Sequence, residues 1–411
     1  MTMNLDFGTE YDEFREEVRA FCKQHTGIQI TGSLYQYEAI SDSEKDQHLT
    51  MPVKEWQKTL IKHGYFARHI PSEYGGYGGQ LDIVKDVIIN DEFAKAKIPL
   101  GTGGQGIDFL VPTLLEMGTE EQKQRYIKAA LDLDEIWCQG YSEPNAGSDL
   151  ASLQTKGVLD GDEWVINGQK IWTSTAKFAH MMFCLVRTEP DAPKHQGISY
   201  LLIPMDTPGI EIRPLVDMTL EAGFNEVFFT DVRIPADNIV GDRGQGWLVA
   251  NKTLVHERGS LGDPNKMVSR LNKLVDLMKN ESIDGERIID KPIFRDRLMK
   301  TQGKVLALKA HGLRLLSSQL NKGQDVTLGR MIVKLYGTEM RYELESLAID
   351  VMGELGTLYE NSPHLRDAGS WQYAYMYYLG LIIGRGTSQI QKNIISERGL
   401  GLPKEPKYKE A

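Results

Sequence analysis

The residue period of this chain changes twice, and that order limits what it can fold into. From about Ile136 the sequence breaks into short runs rich in β-branched and aromatic residues, Met181–Arg187, Ile198–Pro204, Ile210–Leu215 and 227–234, set between turn residues. Helical spacing lies on either side. Upstream, Tyr11, Phe14, Val18 and Phe21 fall three and four apart and form one apolar stripe, and further helices are predicted over 53–63 and 81–96. After Asp237, Val305, Leu308, Gly312 and Leu315 mark one stripe and Leu306, Leu313, Leu316 and Leu320 another, so helices apolar on two sides are expected inside a bundle. The expected class is α+β: an N-terminal helical domain over 1–135, a middle antiparallel β-sandwich or barrel over 136–240, and a C-terminal four-helix bundle over 241–411. Within the middle part, Asn167-Gly168 between two β-rich runs predicts a two-residue hairpin turn, because both residues tolerate positive φ.

At 411 residues the chain exceeds one compact core. Its net charge of −10 and dispersed Lys and Arg residues exclude a basic face for nucleic acid. Cys22, Cys138 and Cys184 are too few and too scattered for a disulfide framework or a Cys-rich metal site, which fits a reducing compartment and no bound metal. The first twenty residues are acidic where a leader would be basic, and no apolar run reaches the roughly 20 residues needed to span a bilayer. A cytoplasmic protein without integral membrane association is expected.

Two segments carry the chemistry. Tyr141-Ser142-Glu143-Pro144-Asn145-Ala146-Gly147-Ser148-Asp149 offers the hydroxyls of Ser142 and Ser148 and several backbone N–H groups, donors suited to the ring oxygens and pyrophosphate of a flavin. Lys170-Ile171-Trp172-Thr173-Ser174 adds, in Trp172, a flat surface on which an isoalloxazine could pack. Either segment alone also reads as a polar turn beside a core tryptophan; their pairing points to a flavin site. The glycine clusters at 75–79 and 101–106 do not follow a strand in a βαβ context, so no dinucleotide fold is read there.

With Gly118-Thr119-Glu120-Glu121-Gln122-Lys123 before the β-rich part and Gly386-Thr387-Ser388-Gln389-Ile390-Gln391 near the end, these motifs resemble the acyl-CoA dehydrogenase family over nearly the whole length. The stretch Trp137-Cys138-Gln139-Gly140-Tyr141-Ser142-Glu143-Pro144 and the tail look most similar to bacterial members acting on bulky or dicarboxylic acyl-CoAs. The resemblance implies FAD as cofactor, with Gln139, Tyr141, Ser142 and Ser148 along the flavin, and Ser148 also near the pantetheine arm. Trp172 and Ser174 would lie on the ring, Thr387 and Gln389 would reach the cofactor from the bundle, and Asp350, Gly353 and Gly356 would meet the adenosine half bound mainly by a neighbouring subunit. A homodimer or homotetramer follows. So does an electron-transfer flavoprotein as acceptor in a β-oxidation step that converts an acyl-CoA to a trans-2-enoyl-CoA. Departures are equally specific: Asn145 replaces a usual glycine and Asp350 a usual glutamine, and no Arg-x-x-Phe-Gly segment is recognisable in 286–295, which leaves Arg287 as the pyrophosphate contact.

The base that removes the α-proton is, in many members, a glutamate directly before the Gly-Thr of the last motif. Here that position is Arg385, which stays protonated and cannot accept a proton. Other members carry the glutamate early in the C-terminal bundle, directly before an arginine, and His256-Glu257-Arg258 stands at the matching place. Glu257 is the expected base, with His256, Arg258 and Arg385 beside the substrate. Histidine is also a residue type suited to acid–base work, but neighbours on a helix point in different directions, so only one of His256 and Glu257 faces the flavin easily. Two other readings keep the fold: a flavin-dependent monooxygenase, which needs no α-proton base, and an inactive flavin-binding partner in a mixed oligomer, marked by Arg385.

Overall fold

The computed structural model describes residues 8–32, 50–259, 264–320, 327–359, 361–404 and 406. They fall into two compact units, one of Asn4–Asp217 with Glu221–Glu257, the other of Arg258–Ala411 with Met218–Leu220.

The first unit opens with helices. In α1 (Asp12–Gln24), Val18 and Phe21 of the expected stripe are buried with Cys22. A short parallel pair, β1 (Gln29–Thr31) and β2 (Thr50–Pro52), leads into α2 (Val53–Lys62). Helix α3 (Ile83–Ala96) begins where the Asp82 carboxylate accepts from the N–H groups of Val84 and Lys85. Trp56, Leu60, Ile88 and Phe93 close the core of these helices. The glycines between α2 and α3 serve the backbone: Gly78 N donates to Ile70 O at 2.9 Å and Gly79 N to Arg68 O at 2.8 Å, folding the loop on itself. Helices α4 (Val111–Met117) and α5 (Glu120–Leu131) follow, the latter started by a capping box between Thr119 and Gln122.

Eight strands then form one sheet: β3 (Trp137–Gly140), β4 (Lys156–Asp160), β5 (Glu163–Lys170), β6 (Met181–Arg187), β7 (Ile198–Pro204), β8 (Ile210–Leu215), β9 (Phe224–Pro235) and β10 (Ile239–Val240). The order is β10-β7-β6-β4-β5-β9-β8, with β3 alongside β6. Its pairings are antiparallel except β3 with β6 and a single-residue contact of β4 with β6. Alternation explains why β6 and β7 are buried on both faces. Met182, Cys184 and Val186 pack with Ile166, Val227 and Val232 inside the curled sheet, whereas Met181, Phe183, Leu185 and Tyr200 join Leu110, Leu114 and Ile127 of the helices. Helix α6 (Gly246–Gly259) adds Val249 and Ala250 to that second core.

The expected Asn167-Gly168 hairpin is not formed. Strand β5 runs through both residues, and the turn lies at Gly161-Asp162, with Asp160 paired to Glu163. The dipeptide instead makes a bulge against β9, where the register slips between Ile166 and Gly168. Gly168 takes φ +150°, and the Asn167 amide bridges to Asp231, donating to its carboxylate at 3.0 Å and accepting from its N–H at 2.9 Å. The same tolerance of unusual backbone serves a bulge as well as a turn.

In the second unit α7 (Pro264–Asn280), α8 (Pro292–Leu320), α9 (Thr327–Met352) and α10 (Ser370–Ile383) pack successively around Leu274, Met278, Val305, Leu308, Leu344 and Trp371. Between α7 and α8 lies a two-residue hairpin, β11 (Ser282–Ile283) with β12 (Glu286–Arg287). Of the two stripes expected on α8, Val305 and Leu308 are buried, but Leu306 is exposed, and the side chain of Leu320 lies outside the described residues. Helix α11 (Ser388–Ile394) closes the chain's regular structure before a short π-helical stretch. No helix among the described residues is long and apolar enough to cross a membrane.

Candidate functional site

The two motif segments of the first unit lie against each other. Ile171 N donates to Ser142 O at 2.9 Å, and Lys170, wholly buried, sends its ammonium to Glu143 Oε1 at 2.8 Å and Tyr141 O at 3.2 Å. Glu143 also accepts the main-chain N–H groups of Gln154 and Thr155. Burial would raise its carboxyl, but Lys170 and the bonds from Thr155 outweigh that and hold it below the usual carboxylate range. The first loop turns tightly through paired bonds between Glu143 and Ala146. Asn145 is exposed and keeps negative φ, so the replacement of glycine there costs the backbone nothing.

Beyond Lys170 the chain twists sharply. Trp172 and Thr175 both take left-handed backbone, at φ +59° and +62°, while Thr173 pairs with Asn225 through reciprocal 3.0 Å bonds. A tryptophan in that conformation is strained, and strain of this kind gathers at ligand sites. Ser142 and Ser174 are half-buried and Ser148 is exposed on the first loop. Sequence reading quoted Thr173 within the second motif without giving it a role, and passed over Asn225 because it lies in no motif.

On α6, Lys252 and His256 are one turn apart and both engage Glu116 of α4, at 2.8 and 3.2 Å. Lys252 is the main influence holding the Glu116 carboxyl below its usual range, against burial and with help from His256. His256 is thus turned to α4. Glu257 and Arg258 follow it on α6, but their side chains lie outside the described residues.

In the second unit the Thr387 hydroxyl accepts from Ile390 N at 3.1 Å, capping α11, and Gln389 is exposed. Arg385 is exposed with left-handed backbone, φ +56°, and Gly386 O accepts from the wholly buried Lys334 at 2.6 Å. Asp350 pairs with Arg297 at 2.7 Å, Gly353 has φ +55°, and Gly356 packs on the Ile349 carbonyl. Arg287 pairs with Asp290 at 2.8 Å on the surface. Elsewhere in the first unit a groove of about 350 Å³ opens between Phe66, Ile89 and Val111, with the His69–Asp86 hydrogen bond on its wall, and none of the residues named from the sequence lines it.

Comparison with known proteins decides the family. The acyl-CoA dehydrogenase N-terminal, middle and C-terminal domain signatures match residues 8–134, 138–232 and 244–400. The chain belongs to the acyl-CoA dehydrogenase family. Acyl-CoA dehydrogenase IpdE1 of Mycobacterium tuberculosis is 37% identical over 402 residues, covering 97% of this chain and 99% of its own. The crystal structure of the ChsE4-ChsE5 complex from the same organism superposes with a TM-score of 0.78 at 31% identity, over 98% of this chain and 100% of that one. The Tcur3481-Tcur3483 steroid ACAD gives 0.79 at 27% identity, over 98% and 100%.

This acyl-CoA dehydrogenase is therefore an oxidoreductase that uses FAD. The residues present fit that cofactor. Gln139 Nε2, Thr173 Oγ1 and Asn225 Oδ1 are buried without a protein partner, a condition native folds rarely leave unanswered. Thr173 is in the second segment, Asn225 is paired with it, and Gln139 is on β3 just before the first loop.

Proposed function

We propose that this acyl-CoA dehydrogenase removes hydrogen across the α and β carbons of a bulky, ring-bearing acyl-CoA thioester, giving a trans-2-enoyl-CoA and passing electrons to an electron-transfer flavoprotein. The observation that carries the reading is the joining of the 141–149 loop to the 170–174 segment, with orphaned polar groups and the exposed Trp172 ring gathered on them. Bound FAD supplies the hydride acceptor. Gln139 on β3 and Tyr141, Ser142 and Ser148 of the first loop would hold it, with Trp172 and Ser174 of the second segment, positioning that shortens the path to reaction. Thr387 and Gln389 serve it from the bundle, and Asp350, Gly353 and Arg287 serve the adenosine half and pyrophosphate of a neighbouring copy in a homodimer or homotetramer.

Glu257 takes the α-proton, with Arg258 and Arg385 beside the thioester. The engagement of His256 by Glu116 supports Glu257 over its neighbour. Similarity to a steroid ACAD supports a ring-bearing acyl group over a straight fatty chain.

Anaerobic titration of the purified flavoprotein with straight, branched, dicarboxylic and steroid-derived acyl-CoAs tests this. Loss of the flavin's visible absorbance with the ring-bearing thioester is expected. An oxygen-dependent product when the same thioesters are tried in air would instead mark a monooxygenase. Two of the similar solved structures pair differently named chains, so turnover that appears only with a second chain would mark this one as a partner subunit.

A further inference from the structure

A buried lysine is costly unless something uses its charge. Lys170 has no exposure, and its ammonium is spent on Glu143 Oε1 and on the carbonyl of Tyr141. Glu143 is in turn fixed by the N–H groups of Gln154 at 2.6 Å and Thr155 at 2.8 Å. The consequence falls on the other end of the same peptide, the N–H of Ser142. No cis peptide occurs among the described residues, and in a trans peptide the C=O and N–H point in opposite directions. With Tyr141 O turned onto Lys170, the N–H of Ser142 points away from it. The following peptide is held as firmly, since Ser142 O accepts from Ile171 N at 2.9 Å while Glu143 N donates to Ala146 O at 3.1 Å. Both planes of 141–143 are therefore set, the first by Lys170 behind the loop and the second by Ile171 and by Ala146 of the loop itself.

A buried ion pair adds little net stability over an apolar pair of the same shape, so fixing direction is what this one does best. We propose that Lys170 and Glu143 are positioning residues that aim the main-chain N–H of Ser142 at the flavin. This rests on the reading of 141–149 as a flavin loop.

The Lys170→Met/Glu143→Gln double variant removes both charges and keeps the approximate shapes. Far-UV circular dichroism should show it folded, with a dissociation constant for FAD raised roughly tenfold or more, the worth of one well-placed hydrogen bond. The bound flavin's visible band and reduction potential should shift as well. A folded variant with wild-type FAD affinity, spectrum and potential overturns the proposal, even if its melting temperature falls, since that is all a merely structural pair would give. If the variant does not fold, amide hydrogen exchange on the wild-type chain decides. Protection of Ser142 N–H on adding FAD to the apoprotein supports the proposal, and equal exchange with and without FAD overturns it. Failure of the wild-type chain to take up FAD would instead sink the flavin-loop reading, and the proposal with it.

Discussion

Trp172 meets Phe224 edge to face, ring centroids 5.9 Å apart and planes at 82°, while 59% of the tryptophan stays exposed. An aromatic residue this open, held in strained backbone and steadied by a second ring, contributes little to the core and much to a flat ligand. Trp172→Ala is expected to leave the stability of the apoprotein within about 0.5 kcal/mol and to weaken FAD binding by roughly tenfold, from the loss of stacking of about 1 kcal/mol and its buried area. Ultrafiltration of free from bound flavin measures it; unchanged affinity would remove Trp172 from the site.

The bulge at Gly168 gives a second test. A Cβ there would lie 2.6 Å from Thr155 Oγ1 and 2.7 Å from Thr155 Cα, on a backbone with φ +150°. Gly168→Ala should cost about 2 kcal/mol or more, read as a lowered thermal midpoint. Two residues inserted between Gly161 and Asp162 should be tolerated, and the same insertion between Asn167 and Gly168 should not. The reverse pattern would restore the hairpin.

Acid should reveal the Glu143 contact. Its folded pKa lies below the ordinary carboxylate value, so the stabilisation is complete above the unfolded pKa of about 4.3 and fades as pH falls through the lower folded value. Urea midpoints of the apoprotein between about pH 5 and 3 should fall more steeply for the wild type than for Lys170→Met/Glu143→Gln. Parallel curves would show that the pair is not linked to protonation.

The bundle has its own buried pair. Arg270 bonds Glu345 at 2.7 and 2.9 Å with its guanidinium 3.5 Å over the Trp371 ring, and Glu345 is wholly buried. Arg270→Met should cost about 3 kcal/mol in urea unfolding, because it leaves a buried carboxylate with Arg341 alone. Adding Glu345→Gln should recover part of that loss, and no recovery would mean that packing on Trp371, rather than charge, sets the cost.

What could be read from the sequence follows from how local each signal is. The stripe of Tyr11, Phe14, Val18 and Phe21 gave α1 because helix period needs only neighbours three and four apart, and the β-rich runs gave β6 and β7 because both are apolar on both faces. Strand β4, Lys156–Asp160, is mostly exposed and becomes a strand only by pairing with β5. The two segments proposed to hold the flavin were legible as sequence motifs, but their joining through Lys170 was not, since a lone lysine reads as a surface residue until Glu143, twenty-seven positions earlier, is placed beside it. Asn167-Gly168 was misread for the complementary reason, that the local preference of the dipeptide does not say which partner strand will use it.

The sharpest prediction concerns the base. Arg385 is exposed and cannot accept a proton, so in the proposed dehydrogenation the α-proton goes elsewhere. Glu257 follows a histidine already committed to Glu116, on a helix anchored to α4 at two points one turn apart by Lys252 and His256. Glu257→Gln keeps the shape and removes the acceptor. Flavin reduction by acyl-CoA in stopped flow should slow roughly a hundredfold to ten-thousandfold, the usual worth of a placed acid–base group, while FAD and acyl-CoA still bind. Arg385→Gln should be milder in the same assay, since an arginine lends field or packing and not basicity. If Glu257→Gln reduces its flavin at the wild-type rate when chemistry is rate-limiting, the proton goes to His256 or to another carboxylate. Glu116→Gln then separates those two, because loosening the grip on His256 would shift the pH dependence of reduction only if that imidazole is the base.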